Sequence, residues 1–307
     1  MYGRCLIFLI LLSSCTVGAD LLVAEEVKAL RMITVADQQK ARNIRQQLVK
    51  GVSFSALAAQ KSMGPERLSW GYSGIVRLAD VQPALRSVLK KLRPGQISKV
   101  IEIEQRYIIV KVISPQIERY YETADRAAEK NNTDAAVRAL KAALQLEKDS
   151  IKTYLKLATV YSSVRRYKDA LSYLDKAHHY APQSTQVFML RSAIYTNAAI
   201  AYKNRSYADE ALQNYKTILQ ASPHLAPSVH FGMGKVYLAA LQQPRKAIGH
   251  LEKAVKHTPY VSEVYKLLIQ AHYETKQYDK AWDYLRLAQN LGFEFPKLQD
   301  ALQKKKR

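Results

Sequence analysis

Residues 154–182, YLKLATVYSSVRRYKDALSYLDKAHHYAP, decide the reading of this 307-residue chain. Large side chains at Tyr154, Leu157, Tyr161 and Leu174 alternate with small ones at Ala158, Ala170 and Ala177 at helical spacing, and Pro182 closes the stretch. This is the pattern of two amphipathic helices that touch through alanines and stop at a proline. The pattern repeats. Tyr120, Ala124, Ala136, Leu140 and Ala143 lie 34 residues earlier in the same register. Phe188, Ser192, Tyr195, Ala211, Tyr215 and Pro223 form a third copy with about seven extra residues near 198–205, predicted as longer helices or a longer turn. Gly234, Tyr237, Ala247, Leu251, Ala254 and Pro259 form a fourth; Tyr265, Leu268, Ala281, Leu285 and Ala288 form a fifth, and Pro296 opens a short last helix. One such unit cannot bury its own apolar face, so stacked copies are expected to make an all-α superhelix with a concave binding surface.

The spacings over residues 117 to about 295 resemble the tetratricopeptide repeat family, which sets a domain of about five repeats plus a capping helix at 117–307. The resemblance implies a peptide, an extended segment or a partner domain lying in the groove. Tyr121, Lys156, Arg191 and Lys235 are the candidate groove contacts in register. They do not reproduce the lysine-asparagine clamp with which some cytosolic repeat proteins hold an acidic tail.

A hydrophobic content of 48% and a charged content of 24% describe ordinary globular material. Formal net charge is +21, which admits an anionic partner, although the cations are dispersed except at Lys304, Lys305, Lys306 and Arg307. Most of them read as solvated surface. The two cysteines, Cys5 and Cys15, both sit at the N-terminus, so no disulfide framework exists in the body of the chain. Arg4 followed by an apolar core at 5–12 reads as an export signal too short to span a bilayer. Leu12-Ser13-Ser14-Cys15 resembles a bacterial lipobox, implying a signal peptide of residues 1–14, cleavage before Cys15 and a diacylglyceryl group on its thiol. A plain signal cut near Ala19 is the alternative. Thr16 after the cysteine implies, by the same resemblance, the periplasmic face of an outer membrane.

Residues 20–116 belong to another class, α+β. A β-prone run at 31–35 precedes helices predicted at 36–50, 54–60 and 83–92, and β-branched density at 100–113 predicts two antiparallel strands turning near Glu104-Gln105-Arg106. Gly51-Val52-Ser53-Phe54, Leu92-Arg93-Pro94-Gly95-Gln96-Ile97-Ser98 and Tyr107-Ile108-Ile109-Val110-Lys111-Val112 together resemble the parvulin family of peptidyl-prolyl isomerases. That family places histidines in its first and last strands and a cysteine or aspartate between them. Here those positions are Met32, Ile108 and, nearby, Ser69, and every histidine of the chain lies at or beyond His178. No catalytic residue is therefore assigned. Val81 and Leu85 fall where the family has its apolar proline-binding side chains; they are read as core residues of a docking module, with a residual pocket as the alternative.

No metal or cofactor is expected. His178-His179 is adjacent rather than at ligand spacing, and His250 and His257 have Lys253 and Lys256 beside them to repel a cation. The reading that unites these features is a non-catalytic, membrane-anchored lipoprotein scaffold for protein partners in assembly of a pilus, a secretion pore or an exopolysaccharide exporter. A periplasmic foldase with isomerase activity is the alternative, and an adaptor for an acidic polysaccharide is a third; export argues against nucleic acid.

Overall fold

The computed structural model describes residues 26–305, so Cys15 and the signal segment, with Lys306 and Arg307, lie outside the described residues. The described chain forms two compact units, residues 26–160 with 176–183, and residues 161–175 with 184–305.

The first unit opens with a four-stranded antiparallel sheet of β1 (Val27–Val35), β2 (Tyr72–Arg77), β3 (Ile101–Ile103) and β4 (Arg106–Ile113), in the order β2-β1-β4-β3. Helices α1 (Gln38–Val49) and α2 (Phe54–Lys61) cover one face and α3 (Pro83–Lys91) the other. The period-2 alternation of the central strands explains this division. Ile33, Val35 and Ile109 pack with Ile44, Phe54 and Leu57 on the first face, while Leu30, Val110 and Val112 pack with Leu78 and Leu89 on the second. Asp37 and Ser53 start α1 and α2 by accepting hydrogen bonds from the Lys40 and Ala56 amides. The β3–β4 turn falls at Glu104 and Gln105, both with positive φ, which matches the twist of a tight hairpin.

The expected elements are present, with β1 starting four residues earlier than the run at 31–35 indicated. Strand β2 was not foreseen, because Tyr72-Ser73-Gly74 looks like a turn. Gly74 indeed has a φ of 82°, and the pairing of β1 with β2 shifts register between Leu30 and Arg31. The extra residue is Ser73 on β2, between the partners of Leu30 and Arg31, while β1 keeps an unbroken register with β4.

Beyond β4 come eleven α-helices among the described residues: α4 (Gln116–Glu129), α5 (Thr133–Leu146), α6 (Ile151–Ser163), α7 (Tyr167–Tyr180), α8 (Thr185–Tyr202), α9 (Arg205–Ala221), α10 (Ala226–Lys235), α11 (Pro244–Val255), α12 (Ser262–Glu274), α13 (Tyr278–Asn290) and α14 (Pro296–Gln303). The extra residues of the third repeat lengthen both of its helices, to 18 and 17 residues, rather than the turn between them. Ala124, Ala136, Leu140 and Ala143 are buried in the first repeat, as Ala247, Leu251 and Ala254 are in the fourth. Glycine replaces the small residue at 234 for a physical reason: a Cβ there would stand 2.6 Å from Leu251, and one at Gly232 would stand 2.3 Å from the Tyr215 ring. A π-helical turn at Val236–Ala240 extends α10. Leu302 of α14 closes the last core with Tyr265, Leu285 and Ala288.

Within the first unit the sheet and the first repeats share a buried ionic junction. Arg31 is 0% exposed. Its Nε and Nη2 donate to the two carboxylate oxygens of Glu147 at 2.6 and 2.7 Å, Nη1 donates to the Trp70 carbonyl at 2.6 Å, and Nη2 also reaches Ser150 Oγ at 3.2 Å. Lys111, directly across the ladder from Arg31, lies 3.4 Å from Glu147 and 3.6 Å from Asp149. Ser53 donates to Asp149 at 2.8 Å. Burial lowers the Arg31 pKa, but Glu147, with Tyr121 and Asp149, outweighs it and the net shift is upward. Burial likewise raises Asp149, yet Lys111, the Ser53 hydroxyl and Arg31 together hold its carboxyl below the ordinary value.

Removing one partner of such a pair leaves an uncompensated buried charge, at a cost of about 3–5 kcal/mol. Arg31→Met and Glu147→Gln should each destabilise the chain by that order in urea denaturation, and Arg31→Met with Glu147→Leu by less than the two single losses added. Single variants within about 0.5 kcal/mol of the parent, the size of an ordinary surface change, would contradict the junction's role.

Candidate functional site

The sheet face under α3 is where a parvulin would carry its catalytic side chains. Here Met32 of β1 and Ile108 of β4 lie half-buried against the cluster of Leu30, Leu78, Leu89, Ile101, Val110 and Val112, together with Val81, Leu85, Val88 and Ile103. These groups offer no proton donor or acceptor to an amide. Met32 is fixed through its backbone, whose N–H donates to the Gly71 carbonyl at 2.7 Å. Gly71 has a φ of 83°, and a Cβ there would stand 2.8 Å from Ala58 Cβ and 2.9 Å from the Met32 carbonyl oxygen, so the approach of this loop to β1 requires glycine. Ser69, the third position, spends its hydroxyl on backbone, donating to the Tyr72 carbonyl at 2.6 Å and approaching that of Glu66 at 3.1 Å. The structure thus groups Met32, Ile108, Val81 and Leu85 in one apolar cluster and leaves Ser69 outside it.

The candidate groove residues divide. Tyr121 is 2% exposed, so its side chain is not open to a partner in the groove. Its hydroxyl meets Thr153 Oγ1 at 2.8 Å and Ser150 Oγ at 3.2 Å, and its ring lies under Lys152 Nζ at 4.3 Å. Burial raises the phenol's pKa. Tyr72 of the sheet supplies a second ring 4.3 Å from the same Lys152 ammonium, so this cation is held between two aromatic faces. Burial lowers the Lys152 pKa against the opposing pull of Glu118. The three cations are reachable but paired: Lys156 with Asp125 at 2.6 Å, Arg191 with Asp175 at 2.7 Å and Lys235 with Glu263 at 3.3 Å. Exposed pairs of this kind contribute about 0–1 kcal/mol, so an incoming carboxylate can compete for the cation at little cost.

Two features escaped the sequence reading. The first is the junction of Arg31, Lys111, Glu147 and Asp149; its visible signal is a pair of cations at inward-facing positions of two otherwise apolar strands. The second is a histidine pair. His250 pairs with His230, Nδ1 to Nδ1 at 3.0 Å, and stacks on Tyr237. α10 and α11 pack side by side and bring these residues, 20 apart in sequence, together. Burial, then His230 and Lys253, lowers the His250 pKa to about 4. One neutral ring donates and the other accepts. No cluster of three or more metal-ligating side chains occurs among the described residues.

Residues 19–124 match the family described as PPIC-type PPIASE domain, and residues 127–194 match the tetratricopeptide repeat. The chain thus carries a PPIC-type, parvulin-like domain followed by tetratricopeptide repeats, a build that implies a protein-interaction scaffold. Among solved structures, one titled for the functional characterization of Pseudomonas aeruginosa pilF is 21% identical with a TM-score of 0.50, covering 61% of this chain and 83% of that one. The thermophilic repeat protein TTC0263 of Thermus thermophilus is 19% identical, with a TM-score of 0.49 over 61% of this chain and 97% of its own. MamA of Desulfovibrio magneticus RS-1 is 18% identical, with a TM-score of 0.48 over 59% and 97%. Likeness at these identities concerns the repeat fold alone. None of the curated proteins matches the chain.

The histidine pair gives a testable titration. In the folded protein His250 should lose its proton near 4, against the ordinary 6.5, in an NMR titration of the imidazole signals. The unfolded chain binds that proton first, so this contribution to stability is complete above pH 6.5 and is lost as pH falls towards 4. A His250 midpoint at the ordinary value would contradict the packed, neutral pair.

Proposed function

We propose that this chain is a lipid-anchored, non-catalytic scaffold of the bacterial envelope. Its repeats hold protein partners during assembly of a pilus, secretion or exopolysaccharide-export machine, and its parvulin-like domain serves docking and support rather than isomerisation. The observation that carries the reading is the apolar character of the sheet face under α3, where Met32 and Ile108 stand half-buried with Val81 and Leu85. Rotation about a prolyl bond faces a barrier of about 18–20 kcal/mol, and a catalyst must favour the twisted amide over the planar one. Met32 and Ile108 in an apolar cluster supply no polar group that could do so. Supporting the anchor is the sequence Leu12-Ser13-Ser14-Cys15, which resembles a lipobox with Cys15 as its cysteine. The repeat structure titled for pilF lends the fold a precedent in a bacterial protein.

Two measurements test this. The full chain should leave the isomerisation of a proline-containing test peptide at the buffer rate; acceleration that disappears on Leu85→Arg would establish a foldase instead. In cross-linked membranes of the source organism, affinity capture should recover a restricted set of envelope-assembly subunits, and Lys156→Glu with Lys235→Glu should deplete that set. Point variants are required here, because deleting the repeats would strip Glu147 from Arg31. Recovery of a broad spectrum of exported proteins would oppose the scaffold.

A further inference from the structure

We propose that the end of α3 and the turn after it, carrying Lys90, Lys91 and Arg93, dock the parvulin-like domain onto an anionic membrane surface; this rests on the reading of Cys15 as a lipid anchor. Three observations converge on this edge.

The first is charge. Residues 81–101 contain Arg86, Lys90, Lys91, Arg93 and Lys99 and no carboxylate. Arg86 is occupied, donating to the carbonyls of Ala79 and Val81. Lys90, Lys91 and Arg93 are exposed, and none of them enters an ion pair among the described residues. Lysines in a last helical turn are favoured by the helix dipole. That accounts for Lys90 and Lys91 but not for Arg93, which lies past the end of α3.

The second is where the chain enters. Lys28 Nζ donates to the Leu92 carbonyl at 3.0 Å, fastening the start of β1 to the segment between Lys91 and Arg93. The Leu78 amide donates to the Glu26 carbonyl at 3.0 Å, and Val27 pairs with Arg77. The chain coming from Cys15 therefore joins the domain beside these three cations.

The third is tether length. Eleven peptide links separate Cys15 from Glu26, and at about 3.3–3.6 Å each they reach about 40 Å at most. Charges on a surface act over about 8 Å at physiological ionic strength. An acyl group on Cys15 therefore keeps this edge within reach of the headgroups, and the unpaired cations select it as the side that meets them. A polybasic patch next to a lipid anchor is the two-signal arrangement that gives stable membrane attachment.

The test uses residues 16–307, which retain every described residue and lack the lipidated thiol. In sedimentation with vesicles, the protein should bind phosphatidylglycerol mixed with phosphatidylcholine, release from them as salt is raised, and ignore phosphatidylcholine alone. Lys90→Glu with Lys91→Glu and Arg93→Glu should weaken binding by about tenfold or more, with an unchanged melting curve. The milder Lys90→Gln, Lys91→Gln, Arg93→Gln set should lose less, and Lys304→Glu with Lys305→Glu should change little. Absence of anionic-vesicle binding, or loss that follows the C-terminal lysines instead, overturns the proposal. So does retention by immobilised alginate with no vesicle binding, which would assign the patch to an acidic polysaccharide. The anchor is read separately, by the mass of the Cys15 peptide from membranes: an unacylated cysteine refutes the anchor while leaving the vesicle result to stand on its own.

Discussion

Arg31 and Lys111 face each other across adjacent strands of a sheet, and no element of the sheet answers their charge. Two like charges in cross-strand register oppose pairing, and taking a guanidinium out of water costs several kcal/mol unless its hydrogen bonds are all replaced. The anions that resolve this conflict, Glu147 and Asp149, come from the turn between α5 and α6, the beginning of the second repeat. Folding of the sheet with Arg31 buried therefore depends on the repeats, and the first repeats gain a partner for two carboxylates. The junction is specific because its geometry is: a bidentate fork onto Glu147, with the third donor direction closed by the Trp70 carbonyl.

From this dependence follows a different use of the parvulin-like domain. Terminal units of a repeat array leave an apolar face that something must cover. Here Arg31 of the sheet meets Ser150 and Tyr72 meets Lys152, so the domain packs on the first repeats. A domain held in this way retains its fold through packing, independently of any chemistry under α3. Met32 and Ile108 pack there against the second core.

Much of the architecture was legible because it rests on short-range rules. The 34-residue period set the helix pairs, and the β-branched density at 100–113 with the turn near Glu104-Gln105-Arg106 set the hairpin. Strand β2 was illegible because its bulge and its glycine mimic a turn. Tyr121 was misplaced for a related reason: repeat register puts it on the groove side of α4, but its hydroxyl is held by Ser150 and Thr153 and its ring lies against Lys152. The Arg31–Glu147 pair spans 116 positions and the His230–His250 pair joins two helices, and no local pattern encodes either. For Arg31 the hint lay in a cation at an inward position of an apolar strand, a choice that costs stability unless a partner is waiting.

Native-state hydrogen exchange tests the central claim most directly. If the junction makes one cooperative unit, amides of β1, β4 and the start of α6 should open together, with the same free energy and the same dependence on denaturant. Exchange of the sheet amides through an opening of their own, while α5 and α6 stay protected, would show that the parvulin-like domain stands independently of the repeats and would contradict the account.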